Sequence, residues 1–442
     1  MVRIGEGAGY SGAWLDPAVA LARDGRLDYL LFECLAERTI ALAQAARRGD
    51  ATAGFDPYLG ARMEAVLGAC AAGGTRILTN AGAANPAGGG DLVVTIARRL
   101  GLHGLRVGVV TGDDVLHLLD PASVLDETGE TLASLGDRVI SANAYLGATP
   151  MVEALADGAA VVIAGRVADP SLAVAALRHA FGWGATDWAR LGAGTAVGHL
   201  TECGPQVTGG YFADPGRLDV PGLARVGYPV AECEADGTAV ITKLPGTGGT
   251  VTRATCTEQL LYEIGDPGAY LTPDVTADFR GIDLVQEAPD RVRVTGATGR
   301  PAPASLKVVV GYRDGFIGDG QVSYGGAGCL ARARLAGDVV RERLASLGRA
   351  VREVRIDVIG WDSLGGAPPA GTPEPPEVRL RVAARVDTRQ VADAVGREVE
   401  ALWVAGPYGG GGATRSVREV IAVGSTFLDR TRVAPVVTVR EA

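Results

Sequence analysis

Apolar residues fall in short continuous runs through the first part of the chain, and each run is followed by a stretch with helical spacing. The runs at 2–8, 28–33, 75–80, 105–111, 139–144 and 160–166 predict strands. Helical spacing at 17–23, 35–48, 57–72, 92–100 and 171–179 fills the intervals, and Asp16-Pro17 supplies a first-turn start. Continuous apolar strands separated by helices imply a sheet covered on both faces. The expected class is α/β, a doubly wound, mostly parallel sheet followed by a second, α+β domain. The pattern changes past 200: residues 224–246 alternate around Asp236-Gly237, a hairpin signal. Strands at 291–295, 305–312, 353–360, 377–386 and 433–440 are expected, with helices at 328–347 and 388–402. A proline- and glycine-rich stretch, 363–377, reads as an exposed loop. The domains are expected at 1–200 and 201–442.

Parallel sheets bind ligands beyond the carboxyl ends of their strands. The strand ends read GAGYSG, ECLAERT, NAGAANPAGGG, GDD, NAY and GRVADPS, which predicts one polar pocket along one edge. Gly7, Gly9 and Gly12 match GxGxxG, and Glu33 ends the next strand, as in a dinucleotide fingerprint. The following helix starts four residues after Gly12, however, so a ligand loop of another kind is the preferred reading. Asn80 and Asn85 occupy a turn that can approach a ligand, and Arg166 can hold a carboxylate or phosphate bidentately. Asp113 and Asp114 read as a helix cap or as magnesium ligands without a clear partner set.

The stretch HLTECGPQ gathers His199, Glu202, Cys203 and Gln206 in a chain with only four histidines and six cysteines. Two roles stand open. Cys203 could be a nucleophile activated by its neighbours. Glu202 could instead be a general acid/base with backbone donors for an enolate, which is the preferred reading. Of 42 basic residues only Lys243 and Lys307 are lysines. Lys243, before a glycine-rich turn, is a candidate for chemistry that arginine cannot perform. Gly409 and Gly410 lie in GPYGGGG, a run that could hold a phosphate. The cysteine spacings suggest no metal site, and none is expected. A net charge of −9 argues against nucleic acid. No apolar run is long enough for a membrane helix, and no signal peptide opens the chain, so a cytoplasmic protein is expected.

ECLAERT, TNAGAANP, GRVADPS, ECGPQVTGGYFADPG, ITKLPGTGG, EQLLYEIGDPGAYLTPDVTADF and GPYGGGG, in this order, resemble the acyclic terpene utilisation (AtuA) family. Longer members carry an additional C-terminal ferredoxin-like domain, which this chain is expected to lack. The resemblance implies an acyl-CoA or related carboxylic substrate and carries over no catalytic residues. The leading expectation is a lyase or hydratase acting on an acyl thioester, with Glu202 or Glu33 moving the proton and His199, Cys203 and Lys243 completing the site. The alternatives are a nicotinamide-dependent oxidoreductase and a non-catalytic partner subunit of an acyl-CoA carboxylase-type system. The cofactor is left open, and a homo-oligomer is expected. The reading requires residues 33, 80, 166, 202 and 243 to converge between the two domains.

Overall fold

The computed structural model describes residues 1–442, apart from the side chain of Arg349. The chain forms two compact units: one of Met1–Gly136, Ile140–Gly311 and Val423–Ala442, the other of Asp137–Val139 and Tyr312–Ala422. Residues 201–311 therefore pack with the first 200 residues rather than apart from them. The reason is sheet continuity. Strand Pro229–Cys233 pairs antiparallel with strand Val2–Glu6, so the second half of the chain extends the sheet that the first half begins.

Five parallel strands form the centre of that sheet, in the order Val2–Glu6, Tyr29–Phe32, Arg76–Thr79, Val161–Ala164 and Arg106–Thr111. Antiparallel strands flank them, so the ten-stranded sheet is mixed. Pro229–Cys233, Ala239–Lys243, Arg291–Thr295 and Asp283–Ala288 continue it on one side, and Val436–Glu441 closes the other. The strand at Val139–Ala144 lies outside this sheet and pairs with the long strand Ser305–Gly325.

Alternation along the strands covers both faces of the centre. Leu30, Phe32, Ile77 and Ile163 join a core built from helices Asp16–Asp24, Leu59–Gly73 and Pro86–Arg99. Their alternating neighbours Tyr29, Leu31, Leu78 and Val162 are equally buried on the other face. There Tyr29 meets helix Ser171–Phe181, its hydroxyl 2.6 Å from His179 Nδ1.

A helix that the sequence pattern does not announce, Trp188–Thr201, carries His199. Its glycines lower intrinsic helix propensity, but they permit close packing. A Cβ at Gly198 would lie 2.7 Å from the Pro170 backbone. That contact brings the end of this helix against the loop after strand Val161–Ala164.

The second unit follows strand, helix, strand, strand, helix, strand: Ser305–Gly325, Cys329–Ala345, Val351–Ile359, Glu377–Val386, Arg389–Glu400 and Gly410–Asp429. Their sheet order is Val351–Ile359, Glu377–Val386, Ser305–Gly325, Gly410–Asp429. This is the ferredoxin-like arrangement. It occupies Tyr312–Ala422, where the sequence reading expects only an α+β region, and overturns the expectation that the chain lacks a ferredoxin-like unit. Val378, Leu380, Val382 and Ala384 face a core shared with the two helices. Arg381, on the opposite face, pairs with Asp319 at 2.6 Å and Asp357 at 3.5 Å. No helix among the described residues is long and apolar enough to cross a membrane.

Candidate functional site

The parallel strands end side by side, so the residues just past them share one edge of the sheet. Glu6 ends the first strand, Glu33 follows the second, Asn80 the third, and Arg166 follows Val161–Ala164 by two residues. All four side chains are buried. Asn80 Nδ2 donates to Glu33 Oε1 at 2.8 Å, and the Leu35 amide donates to the same oxygen at 2.9 Å. The Asn80 carbonyl oxygen accepts from the Cys34 amide at 2.7 Å. The Glu33 amide donates to Glu6 Oε1 at 3.0 Å.

Arg166 is fully buried, with 0% exposure. Its guanidinium donates to the carbonyls of Leu35 and Val167 and to the Asp169 carboxylate. It also lies over the Tyr145 ring, 4.3 Å from the centroid. Burial alone would lower its pKa, but the negative charge of Asp169 and its other neighbours outweighs that and holds it charged.

The carboxyls around this cation behave differently. Burial raises Glu33 to about 8, with the charge of Asp169 adding to the shift. Burial also pushes Glu6 and Glu202 well above the usual carboxylate range. Such carboxyls keep a proton near neutrality, the state a general acid requires. Asp113 is raised by burial to about 6. It is spent on the frame, accepting from Asn143 Nδ2 at 2.8 Å and the Arg166 amide at 3.0 Å.

Glu202 follows helix Trp188–Thr201 directly, and its Oε1 lies 3.1 Å from His199 Nδ1. Its other oxygen, Oε2, is buried without a hydrogen-bond partner. The His199 ring packs on Tyr270 at 5.2 Å between centroids and on Phe279 at 5.9 Å.

Beside this cluster opens a cavity of about 630 Å³, within the range of small-molecule sites. Arg166, Asp169, Tyr145, Tyr270 and Glu263 line its walls, with Glu37, Arg38 and Lys307 at other positions. Lys307 Nζ reaches Glu37 Oε1 at 2.6 Å, and the Tyr145 hydroxyl donates to the same oxygen at 3.0 Å. Among the described residues no group of three or more His, Cys, Asp or Glu is arranged to hold a metal ion.

The expected residues divide accordingly. Glu33, Asn80, Arg166 and Glu202 form one electrostatic cluster, with His199 against Glu202. All of them belong to the first unit. Lys243 shares no hydrogen bond or ion pair with them. It lies in the antiparallel extension of the sheet, where Nζ pairs with Asp290 at 3.0 Å and donates to the Thr247 carbonyl at 2.9 Å. Cys203 adjoins the cluster, but burial and the charge of Glu202 push its thiol up to about 12, far from a thiolate. Gln206 follows in the short 3-10 helix Gly204–Gln206.

Asn85 caps helix Pro86–Arg99 by accepting from the Gly88 amide at 3.0 Å. Gly7 donates its amide to the Leu31 carbonyl at 2.7 Å. At Gly9 a Cβ would lie 2.3 Å from the Cys203 carbonyl carbon, so the close approach serves the chain's own backbone rather than a pyrophosphate. Gly12 is closest to the Tyr10 ring. Gly409 and Gly410 belong to the second unit, where Gly410 packs on Tyr324.

Sequence reasoning missed Tyr145, Asp169, Tyr270 and Glu263 as cavity residues. Asp169, in the strand-end motif GRVADPS, pairs its carboxylate with Arg166. Glu263 gave one signal only: it follows a helical stretch at a position where a glycine would be ordinary.

Fold and site define an α/β protein with a buried cluster of carboxyls around one arginine, at the carboxyl edge of a parallel sheet. The chain belongs to the acyclic terpene utilisation family: the family model, described as acyclic terpene utilisation family protein AtuA, matches residues 2–439. No curated protein and no solved structure matches the chain.

Proposed function

We propose that the cavity is the active site of an enzyme that moves protons on an acyl-CoA-like or related carboxylic substrate, in a lyase or hydratase type of reaction. The observation that carries this reading is the set of proton-retaining carboxyls, Glu33 and Glu202, around the buried Arg166 beside a cavity of about 630 Å³. A carboxyl poised at about 8 has the acidity that proton transfer near neutrality favours. A fixed guanidinium and a neutral acid together can stabilise the oxygen of an enolate as it gains charge. Tyr270, Tyr145 and Phe427 give the cavity apolar surface for an acyl chain.

The test is a thermal-shift panel of coenzyme A, acyl-CoA esters, simple carboxylic acids, NAD(P)(H), ATP and divalent metals on the purified chain. A ligand at 100 times its dissociation constant adds about 2.7 kcal/mol of stability. A shift with acyl-CoA followed by turnover supports the proposal. A shift with a nicotinamide cofactor alone would replace it by an oxidoreductase, and no shift at all would favour a partner subunit.

A further inference from the structure

Among the described residues five non-glycines have a positive φ: Arg26, Ala83, Tyr211, Glu263 and Asp290. Of these Glu263 alone lines the cavity, with φ +55°. A left-handed backbone is costly for a residue with a Cβ such as glutamate, and a glycine would adopt it freely. Strain retained at such a position is a signature of a functional constraint. The surroundings agree. Helix Arg253–Leu261 ends just before, and Tyr262 is its C-cap. Tyr270, whose ring packs on His199, lines the same cavity.

The charges of the cavity wall make the same point. Arg166 pairs with Asp169, and Lys307 pairs with Glu37. Among the described residues Glu263 has no ion pair, although it shares the wall with those cations. Glu263 is exposed and its backbone strained, whereas Glu33 and Glu202 behind it are buried.

We infer that Glu263 is a catalytic residue, the base that meets the substrate in the cavity. This rests on the proton-transfer reading above. Glu263 takes the proton from the carbon beside the substrate carbonyl. The C–H electron pair becomes the enolate double bond, and the negative charge moves to the carbonyl oxygen. Reversal returns a proton to carbon. Because Glu263 faces solvent, its proton exchanges with water between the two steps, and no other reactant is consumed.

The experiment follows solvent deuterium into butyryl-CoA by mass spectrometry, with butyrate in parallel, for wild type, Glu263→Gln and Glu263→Gly. The ligand-induced rise in melting temperature is measured on the same samples. Glycine takes the positive φ without strain, so Glu263→Gly is expected to fold. Both variants are expected to keep the ligand-induced rise and to lose deuterium incorporation by about 100-fold or more. Wild-type exchange in Glu263→Gly would overturn the inference, since the position would then need only its turn. If wild type exchanges on butyrate but not on the thioester, the thioester reading falls and the variants still decide Glu263 on the acid. If wild type binds and exchanges neither, both proposals fall.

Discussion

His199 and Glu202 share one proton: Nδ1 faces Oε1 at 3.1 Å while Nε2 faces the Leu260 carbonyl at 3.3 Å. A carbonyl only accepts, so Nε2 carries a hydrogen. Burial lowers the pKa of the His199 ring and raises that of Glu202, so the neutral form of the pair is favoured. In that form Nδ1 is an acceptor and the Glu202 carboxyl donates to it. Glu202→Gln keeps a donor in place and is expected to retain the fold with a melting temperature close to wild type. Glu202→Ala removes it and leaves Nδ1 buried without a partner, at a cost of about 1–3 kcal/mol. Equal melting temperatures for the two variants would rule out the shared proton.

Glu33 ties stability to pH. Its folded pKa is about 8, whereas the unfolded chain releases this proton near ~4.3. Between the two values the folded protein holds a proton that the unfolded chain has lost. The stability is full below the lower value and falls as pH rises through the window, levelling off above the upper one. Glu33→Gln preserves an oxygen for Asn80 and the Leu35 amide and has nothing to ionise. Its urea midpoint is expected to vary less between pH ~5 and ~8 than that of wild type. An unchanged slope would place the proton elsewhere.

Arg166 holds the site together as much as it serves it. Its guanidinium reaches the Leu35 and Val167 carbonyls and Asp169 at once, which an ammonium cannot imitate. Arg166→Met leaves those acceptors facing no cation, and a loss of about 3–5 kcal/mol is expected in urea denaturation. Arg166→Lys is expected to fall between the two. A lysine variant as stable as wild type would refute the role given to the fork.

Lys243 separates structure from chemistry. Its ammonium is committed to Asp290 and the Thr247 carbonyl. Lys243→Met is expected to cost about 1–3 kcal/mol and to leave the ligand-induced thermal shift intact. If the variant instead keeps its stability and loses the shift, Lys243 belongs to the site after all.

Much of the site could be read along the chain because a parallel sheet lines up its strand ends. Glu33, Asn80 and Arg166 are each found at the end of an apolar run, and that alone places them on one edge. The same logic says less about Lys243. It also ends a strand at this edge, two places from Val2–Glu6, but its ammonium is held by Asp290 and the Thr247 carbonyl. Asn85 shows the other limit, since a turn asparagine that caps a helix looks the same in sequence as one that meets a ligand.

The sequence by itself determined the family, the α/β class, the central parallel strands and the polar edge they share. Each of these follows from local periodicity or from motif order, which one stretch of chain carries alone. Only the tertiary structure decided that residues 201–311 pack with the first 200 and that a ferredoxin-like unit occupies 312–422, because strand pairing joins segments far apart in sequence. It also decided which carboxyls keep their protons. That depends on burial and on the distance to Arg166 and Asp169, and neither is written in the spacing of residues along the chain.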